Sequence, residues 1–183
     1  TSASLQLIDV LFKPKESVNL VSGIYLRPEP QYFMYKVDSK DEQRNYISEI
    51  LNFVPKPILI YTTLVEDAEK IYKDILNKNY LNAALFHGRT STLNRSNIIT
   101  DWLSDKLDIV VATSAFGVGV DKPNVRTVIH ATIPETLDRF YQEVGRAGRD
   151  GQSAISILLH TDEDRETSLD LASDKKSRTA GFE

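Results

Sequence analysis

Short apolar runs alternate with longer stretches of helical periodicity in this sequence, and the alternation restricts the fold more than any other feature. The apolar runs lie at residues 32–37, 57–61, 82–86, 109–112, 125–130 and 154–159. The helical patterns lie at residues 41–53, 64–76, 91–103 and 135–144, and Thr161 is expected to cap a further helix. Short apolar runs are typical of strands in parallel sheets, and connections this short favour right-handed βαβ units. The sequence therefore predicts an α/β fold in which helices cover both faces of a mostly parallel sheet.

The ends of this alternation set the expected domain boundaries. Residues 1–30 are predicted to be an irregular connector, stiffened by the prolines of "LRPEP" at 26–30. Residues 31–172 carry the alternating pattern and form the domain, and residues 173–183 are expected to be a polar, flexible tail.

Composition excludes several classes of protein. The absence of cysteine rules out a disulfide framework and a cysteine zinc site, and the three histidines are too scattered to suggest a metal cluster. A net charge of −4 argues against a basic coat that binds nucleic acid indiscriminately, but it allows a local anion site. No apolar run approaches the length of a membrane span, and no signal peptide is visible. We therefore expect no membrane partner and a cytoplasmic protein, or a nuclear one if the source is eukaryotic.

The loops that follow the strands are the expected ligand sites, because parallel strands gather ligands beyond their carboxyl ends. Hydroxyl groups and free amides at helix N-termini can cradle phosphates there. The candidates are Thr62, Thr63, His87, Arg95, Thr113, Ser114, Gly119 and Asp121. Each stretch alone is explained as well, or better, by an ordinary capped helix or a glycine-containing loop; Thr63 and Glu66, for example, fit a capping box. Together they favour a surface that binds successive phosphates of a polymer.

The segment 141–151, "YQEVGRAGRDG", places Arg146 and Arg149 three residues apart among glycines. Guanidinium groups keep their charge at any ordinary pH, and two on one turn can converge on a single oxyanion. Spacing alone also fits two surface arginines after a helix C-terminus, where cations are favoured. The helix before this turn is expected to be amphipathic, with its apolar positions at Leu137, Phe140, Tyr141 and Val144.

Motifs V and VI of RecQ-type DNA helicases, in superfamily 2, closely resemble two strings of this sequence, "VVATSAFGVGVDKPNVRTVIH" and "IPETLDRFYQEVGRAGRDG". Motif IV of that family resembles "ILIYTT". The resemblance covers roughly residues 55–160, and the motif VI string is highly specific. It implies a three-layer RecA-like (P-loop NTPase-like) domain, the second, C-terminal motor domain of an ATP-dependent DNA helicase.

The resemblance also implies roles for individual residues. Arg149 resembles the arginine finger that reaches the γ-phosphate of ATP, and Arg146 the motif's other arginine, which contacts the nucleotide or couples it to DNA. Gln142 resembles the glutamine that contacts the γ-phosphate region and its attacking water. Asp121 is similar to the residue that contacts the ribose or steadies motif VI, and Gly119 leaves room for it.

The same resemblance implies a DNA-binding side. Thr113, with Ser114 beside it and the amides around Thr62 and Thr63, resembles the groups that hold DNA backbone phosphates. His87 and Arg95 are assigned to the same side.

Three features of the family are missing from the sequence. The phosphate loop G-x-x-x-x-G-K-[ST] and the metal-binding acidic motif do not occur in it, and in the family both lie on a preceding domain. We therefore expect ATP with Mg²⁺ to be bound mainly by an N-terminal RecA-like domain, with single-stranded or duplex DNA as the other partner. This domain alone is predicted to be inactive. The cysteine-rich zinc module of RecQ proteins also has no counterpart here.

Two other classes of function remain open at this point. The domain could be a non-catalytic module, derived from a helicase, that only binds nucleic acid or a partner protein. It could also be a doubly wound enzyme acting on a small nucleotide, which the lack of a glycine fingerprint after the first strand disfavours.

Overall fold

Six parallel strands form the central sheet in the computed structural model, which describes residues 29–116 and 120–180, the last seven without side chains. The strands are β1 (Pro30–Lys36), β2 (Ile58–Tyr61), β3 (Ala83–Phe86), β4 (Ile109–Ala112), β5 (Thr127–His130) and β6 (Ala154–His160). Their order across the sheet is β1-β6-β5-β2-β4-β3, and every neighbouring pair is parallel. The predicted α/β fold with a parallel sheet is confirmed.

Helices follow five of the strands and run back along the sheet. They are α1 (Lys40–Ile50), α2 (Val65–Asn77), α3 (Thr92–Leu103), α4 (Leu137–Val144) and α5 (Asp162–Ala180). Between β4 and β5 the described residues, 113–116 and 120–126, include no helix. Within the described ranges no helix is long and apolar enough to cross a membrane.

The core has two halves, one on each face of the sheet, because successive side chains of a strand point to opposite faces. Ile58 and Ile60 of β2 pack with Ile71 and Ile75 of α2 in one cluster. Leu59 and Tyr61 of β2 belong to the other cluster, with Trp102 of α3 and Phe116 of the β4–β5 loop. Each fully buried side chain of this size contributes about 1.5–3 kcal/mol.

Strand β1 departs from the expectation that both faces of the sheet are covered. It lies at the sheet edge, and Tyr32, Phe33, Met34 and Tyr35 are all exposed to a substantial degree. The sequence pattern could not reveal this, because an apolar run looks the same at an edge and in the centre of a sheet.

The boundaries of the elements differ from the sequence expectation at both ends. β1 begins at Pro30, inside the predicted connector, whose residues 1–28 lie outside the described part of the chain. Helix α5 continues to Ala180, through residues expected to form a loose tail from 173 onward. Residues 181–183 are not described.

Two details of the predicted helices are wrong. The capping box at Thr63 is absent, since Leu64 is the N-cap of α2 and no side chain bonds to that helix start; the Thr63 hydroxyl contacts the Thr132 hydroxyl instead, at 2.9 Å. The 91–103 pattern predicts an apolar side formed by Leu93, Ile98, Ile99 and Trp102, but Leu93 is 72% exposed.

A buried carboxylate ties the start of α5 to two other helices. The Thr161 hydroxyl accepts from the Asp164 N–H, which confirms Thr161 as the cap of this helix, and the Asp164 carboxylate accepts in return from the backbone N–H and hydroxyl of Thr161. It also accepts from Gln43 at 3.0 Å and from Lys40 at 2.5 Å, and Lys40 reaches Asp67 of α2 at 3.1 Å. Burial lowers the pKa of Lys40, but its pairing with Asp164 and Asp67 together outweighs this, and the net shift is upward.

We predict that Asp164→Ala lowers the free energy of unfolding by about 3 kcal/mol, because it leaves buried donors and the Lys40 ammonium without their acceptor. Urea denaturation of this domain measures the change. The matched control is Asp162→Ala, which removes an exposed carboxylate paired with Lys36 and should leave the urea midpoint unchanged. Equal losses in the two variants would contradict the role given to the Asp164 network.

Candidate nucleotide and nucleic-acid site

The loops after β3, β4, β2 and β5 are neighbours at the carboxyl edge of the sheet, as the sequence predicted from their parallel arrangement. Backbone hydrogen bonds continue the ladder past the strand ends: Thr113 N–H donates to Phe86, and Thr62 N–H donates to Ala112. Ala131 N–H donates to Tyr61 in the same way. The segments that carry His87, Thr113 and Thr62 therefore lie side by side.

The hydroxyl groups at this edge differ in accessibility. Thr62 and Thr113 are buried, and the Thr62 hydroxyl donates to the Leu64 carbonyl at 2.9 Å. Thr63 is half-buried, and Ser114 is exposed. Thr132, in the loop after β5, belongs to the same edge through its contact with Thr63. Ser114 and Thr63 are thus the more accessible of the predicted phosphate-binding hydroxyls.

Arg95 is engaged with its own loop in this structure. Its guanidinium donates to the carbonyls of Thr90 at 2.8 Å and Gly88 at 2.7 Å, and lies over the Phe86 ring. It therefore holds the 87–90 loop in place beside half-buried His87. The assignment of Arg95 and His87 to a DNA-binding side remains a prediction.

The turn that carries the two arginines, residues 145–151 and called the arginine turn from here on, lies away from the carboxyl edge, next to the start of β5. Gly148 N–H donates to the Val125 carbonyl at 2.9 Å, and Asp150 N–H donates to Pro123. Gly148 has φ +61, and a side chain there would approach the Gln152 carbonyl to 2.6 Å. The glycine is required for the tight return of the chain that presents Arg149.

Arg149 lies at the surface at the end of this turn. Its Nη1 is 2.5 Å from Asp121 Oδ1, and its Nε donates to the Gly145 carbonyl at 2.9 Å. The side chains are 37% and 75% exposed respectively, so the ion pair is open to solvent. A surface pair of this kind is weak and exchanges partners readily. Gly119, expected close to Asp121, lies outside the described residues.

Arg146 points in the opposite direction, into the fold. Its Nη1 donates to the Val120 carbonyl at 3.1 Å, and its Nε is buried with no hydrogen-bond partner among the described residues. Burial raises the pKa of Tyr61, and the positive charge of Arg146 opposes that rise, which places the guanidinium close to the phenol. Arg146 therefore joins the arginine turn to the β4–β5 loop.

Only part of the apolar stripe predicted for helix α4 faces the core: Val144 is buried and Phe140 is half-buried. Its buried residues are Glu143 and Val144, whereas Leu137 is 73% and Tyr141 46% exposed. Gln142 is exposed, next to buried Glu143. Sequence reasoning missed Glu143 because a charged residue beside an apolar stripe is normally assigned to solvent.

Lys122 is a second buried charge that sequence reasoning missed. Its ammonium lies 5.3 Å from the centre of the Trp102 ring and 2.5 Å from Asp105 Oδ1. The residue holds the loop after Asp121 against α3. Its position between an aspartate and a proline gave no sign of burial.

A parallel six-stranded sheet of this order, with an arginine turn beside β5, defines a RecA-like helicase domain. Residues 42–151 match the helicase conserved C-terminal domain family, and the chain belongs to that family. The fold agrees with solved helicases: against the RNA helicase Prp28 from Chaetomium thermophilum the TM-score is 0.67 at 24% identity, covering 84% of this chain and 38% of that one.

Curated relatives confirm the resemblance to RecQ-type helicases. The chain is 37% identical to the ATP-dependent DNA helicase RecQ of Bacillus subtilis (strain 168) over 131 residues, which is 71% of this chain and 22% of that protein. It is 35% identical to the ATP-dependent DNA helicase Q1 of Rattus norvegicus over 139 residues, covering 73% of this chain and 22% of the relative. The chain thus spans about a fifth of the length of these relatives.

A second ion pair fixes the arginine turn from the side of β5. Arg126 donates to both carboxylate oxygens of Asp150, with Nη1 3.0 Å from Oδ1. These hydrogen bonds lower the pKa of Asp150 to about 2. Because the folded value lies below the unfolded one of about 3.9, the pair stabilises the fold above pH 4, and this contribution is lost as the pH falls from about 4 to about 2.

We predict that the Asp150 carboxyl stays ionised at pH 3, and that Arg126→Gln raises its pKa towards the ordinary value of about 3.9. Carbon-detected NMR titration of the carboxyl groups measures both values. Lys106→Gln, which removes a cation paired with Asp101, is the control and should leave the Asp150 titration unchanged. An Asp150 carboxyl that titrates normally in the parent domain would contradict the pairing.

Proposed function

We propose that this domain is the second motor domain of an ATP-dependent DNA helicase, and that Arg149 completes an ATP site built mainly by another RecA-like domain. The observation that carries the proposal is the position of Arg149, a permanent cation at an open surface whose partner Asp121 is itself largely exposed. A guanidinium held this loosely can move to a phosphate that arrives from outside, which is what a finger acting on a neighbouring domain requires.

The chemistry assigned to Arg149 is electrostatic. When the two domains close, the guanidinium leaves Asp121 for the terminal phosphate and stabilises the charge that spreads over the transferring phosphoryl group. Exposed Gln142 lies on the last turn of the preceding helix and is assigned to the same phosphate and its attacking water. Loss of the anion on hydrolysis returns Arg149 to Asp121 and lets the cleft open.

The DNA side is proposed at the carboxyl edge of the sheet. No described side chain caps the start of α2, so its first N–H groups are available to a phosphate, with Thr63 and Ser114 as nearby hydroxyl donors. The β4–β5 loop begins with Thr113 and Ser114 at that edge and reaches Asp121 beside the arginine turn. Movement of the turn on nucleotide hydrolysis can therefore be passed along this loop to the DNA contacts.

ATP with Mg²⁺ is proposed to bind chiefly to a preceding RecA-like domain, which would carry the phosphate loop and the acidic motif. The two relatives described above are named ATP-dependent DNA helicases, which supports ATP and DNA as ligands of the intact protein. An intracellular location, cytoplasmic or nuclear, is part of the same proposal.

We predict that the purified domain alone hydrolyses no ATP above background, with or without single-stranded DNA, because it supplies a finger but no phosphate loop. Phosphate release measured with an enzyme-coupled assay tests this. Turnover that follows the domain through two different purification schemes, and so is not a contaminant, would refute the assignment of roles.

We also predict that Arg149→Ala in the intact helicase lowers the DNA-stimulated kcat by about a thousandfold or more, the range seen for arginine fingers, while ATP binding largely survives. Single-turnover hydrolysis and binding of a fluorescent ATP analogue measure the two effects. Arg165→Ala, which removes an exposed arginine of α5, is the matched control and should turn over normally. Near-normal turnover in Arg149→Ala would show that the finger is misassigned.

A further inference from the structure

We propose that His130 and Glu143 form a positioning pair that fixes helix α4, and with it Gln142 and Arg149, in the geometry needed for phosphoryl transfer. The inference rests on the proposed function, since it concerns the same site. It adds two residues that contact neither the phosphate nor the DNA in that proposal.

Both oxygens of the Glu143 carboxylate are held by different parts of the fold. Oε2 lies 3.0 Å from Nε2 of His130 on β5, and Oε1 accepts from Nε of Arg139 at 3.1 Å. Arg139 also donates to Glu135 at 2.6 Å. A carboxylate only accepts hydrogen bonds, so Nε2 of His130 carries the proton shared with Glu143. The orientation of Glu143 is therefore set by the sheet and by its own helix together.

The imidazole of His130 is itself held in a single orientation. It is fully buried and stacked against the Tyr61 ring at 5.6 Å and 25°, with the Phe140 ring 5.2 Å away on a tilted plane. Its Nδ1 has no hydrogen-bond partner among the described residues. Among the described residues, the imidazole of His130 thus makes one hydrogen bond, to Glu143. This points to a positioning role for that bond.

Apolar packing attaches α4 through only two residues, buried Val144 and half-buried Phe140, whose ring lies 5.2 Å from that of His130. The helix is eight residues long, and beside Glu143 its only fully buried residue is Val144. Leu137 and Tyr141, which would anchor an ordinary amphipathic helix, face solvent. A short helix of this kind needs a directional contact near its C-terminal end, where Gln142 and the arginine turn begin. The bond from β5 to Glu143 supplies that contact.

A small displacement of this segment is expected to matter for turnover far more than for ATP affinity. Groups that act on the transferring phosphoryl need close alignment, and a displacement of about 1 Å can cost on the order of a hundredfold in rate. The bulk of the nucleotide is bound elsewhere in the proposed mechanism. Loss of the pair should therefore lower kcat and leave KM for ATP nearly unchanged.

Two substitutions of His130 separate positioning from a general structural role. His130→Gln places an amide nitrogen close to where Nε2 stands and keeps a donor for Glu143. His130→Asn places the amide nitrogen where Nδ1 stands and loses that donor. Both variants are polar, and both lose the stacked imidazole, so a role limited to packing would affect them alike.

In the intact helicase we expect His130→Gln to retain kcat within about threefold, and His130→Asn to lose about tenfold or more, with KM for ATP within about threefold in both. Thermal unfolding, followed by circular dichroism, should show similar melting temperatures for the pair. Equal kcat values in the two variants, or a loss carried by KM alone, would overturn the inference.

A third variant keeps the inference testable if His130→Asn does not fold. Glu143→Gln is isosteric, but its single carbonyl oxygen can accept from only one of the two donors, so kcat should fall by about threefold to tenfold at constant KM. An unchanged kcat would overturn the inference. Arg149→Ala is measured beside these variants: if it turns over normally the proposed function fails, and if it is inactive while the His130 pair behaves alike only the positioning role fails.

Discussion

Parallel pairing obliges the chain to cross the whole length of the sheet between one strand and the next, and the crossover from β4 to β5 determines how this domain is built. The crossover joins β4 and β5, which flank β2 at the centre of the sheet, and all three strands are fully buried. The loop leaves the carboxyl edge at Thr113 and returns to the start of β5, where Val125 pairs with Ala147 of the arginine turn. The segment between β4 and β5 therefore contacts both the carboxyl edge, to which we assign DNA, and the arginine turn, to which we assign the nucleotide. Arg146 donates a hydrogen bond to the Val120 carbonyl of this segment.

A hydrogen bond between two buried polar groups, beside limited apolar packing, attaches the helix before the arginine turn. Buried Glu143 is hydrogen-bonded to buried His130 and also accepts from half-buried Arg139, which offsets the cost of removing its carboxylate from water. Such an arrangement is directional, so it defines where the helix ends more sharply than apolar contacts could. By contrast Arg149, a few residues later, donates to the Gly145 carbonyl and pairs with a solvent-exposed carboxylate, which it can exchange for another anion. The firmly held carboxylate of Glu143 and the loosely held guanidinium of Arg149 thus lie only a few residues apart in the chain.

The sequence was sufficient to predict the strands and helices of the domain, because buried strands such as 109–112 and helices such as 91–103 carry unmistakable apolar patterns. It was not sufficient for features that depend on neighbours in space. The exposure of β1, the inward orientation of Glu143 and the burial of Lys122 follow from position in the sheet and from partners distant in sequence. The helical extension of α5 beyond 173 was missed because its polar composition suggested a tail.

The candidate site was predicted in part. Parallel strands alone predict that these loops share the carboxyl edge, though not their order across the sheet, and motif VI identified the arginines. Their opposite orientations, with Arg146 inside and Arg149 outside, could not be read from a spacing of three residues, because the turn at Gly148 reverses the chain between them.

The proposed mechanism depends most on the movement of the Arg149 guanidinium from Asp121 to a phosphoryl group. A crystal structure of the intact helicase with single-stranded DNA, ADP and aluminium fluoride tests this exchange directly. We expect the Arg149 guanidinium to lie within hydrogen-bond distance of the fluoride ligands, with its ion pair to Asp121 broken. A closed, fully occupied site in which Arg149 still pairs with Asp121 would contradict the account.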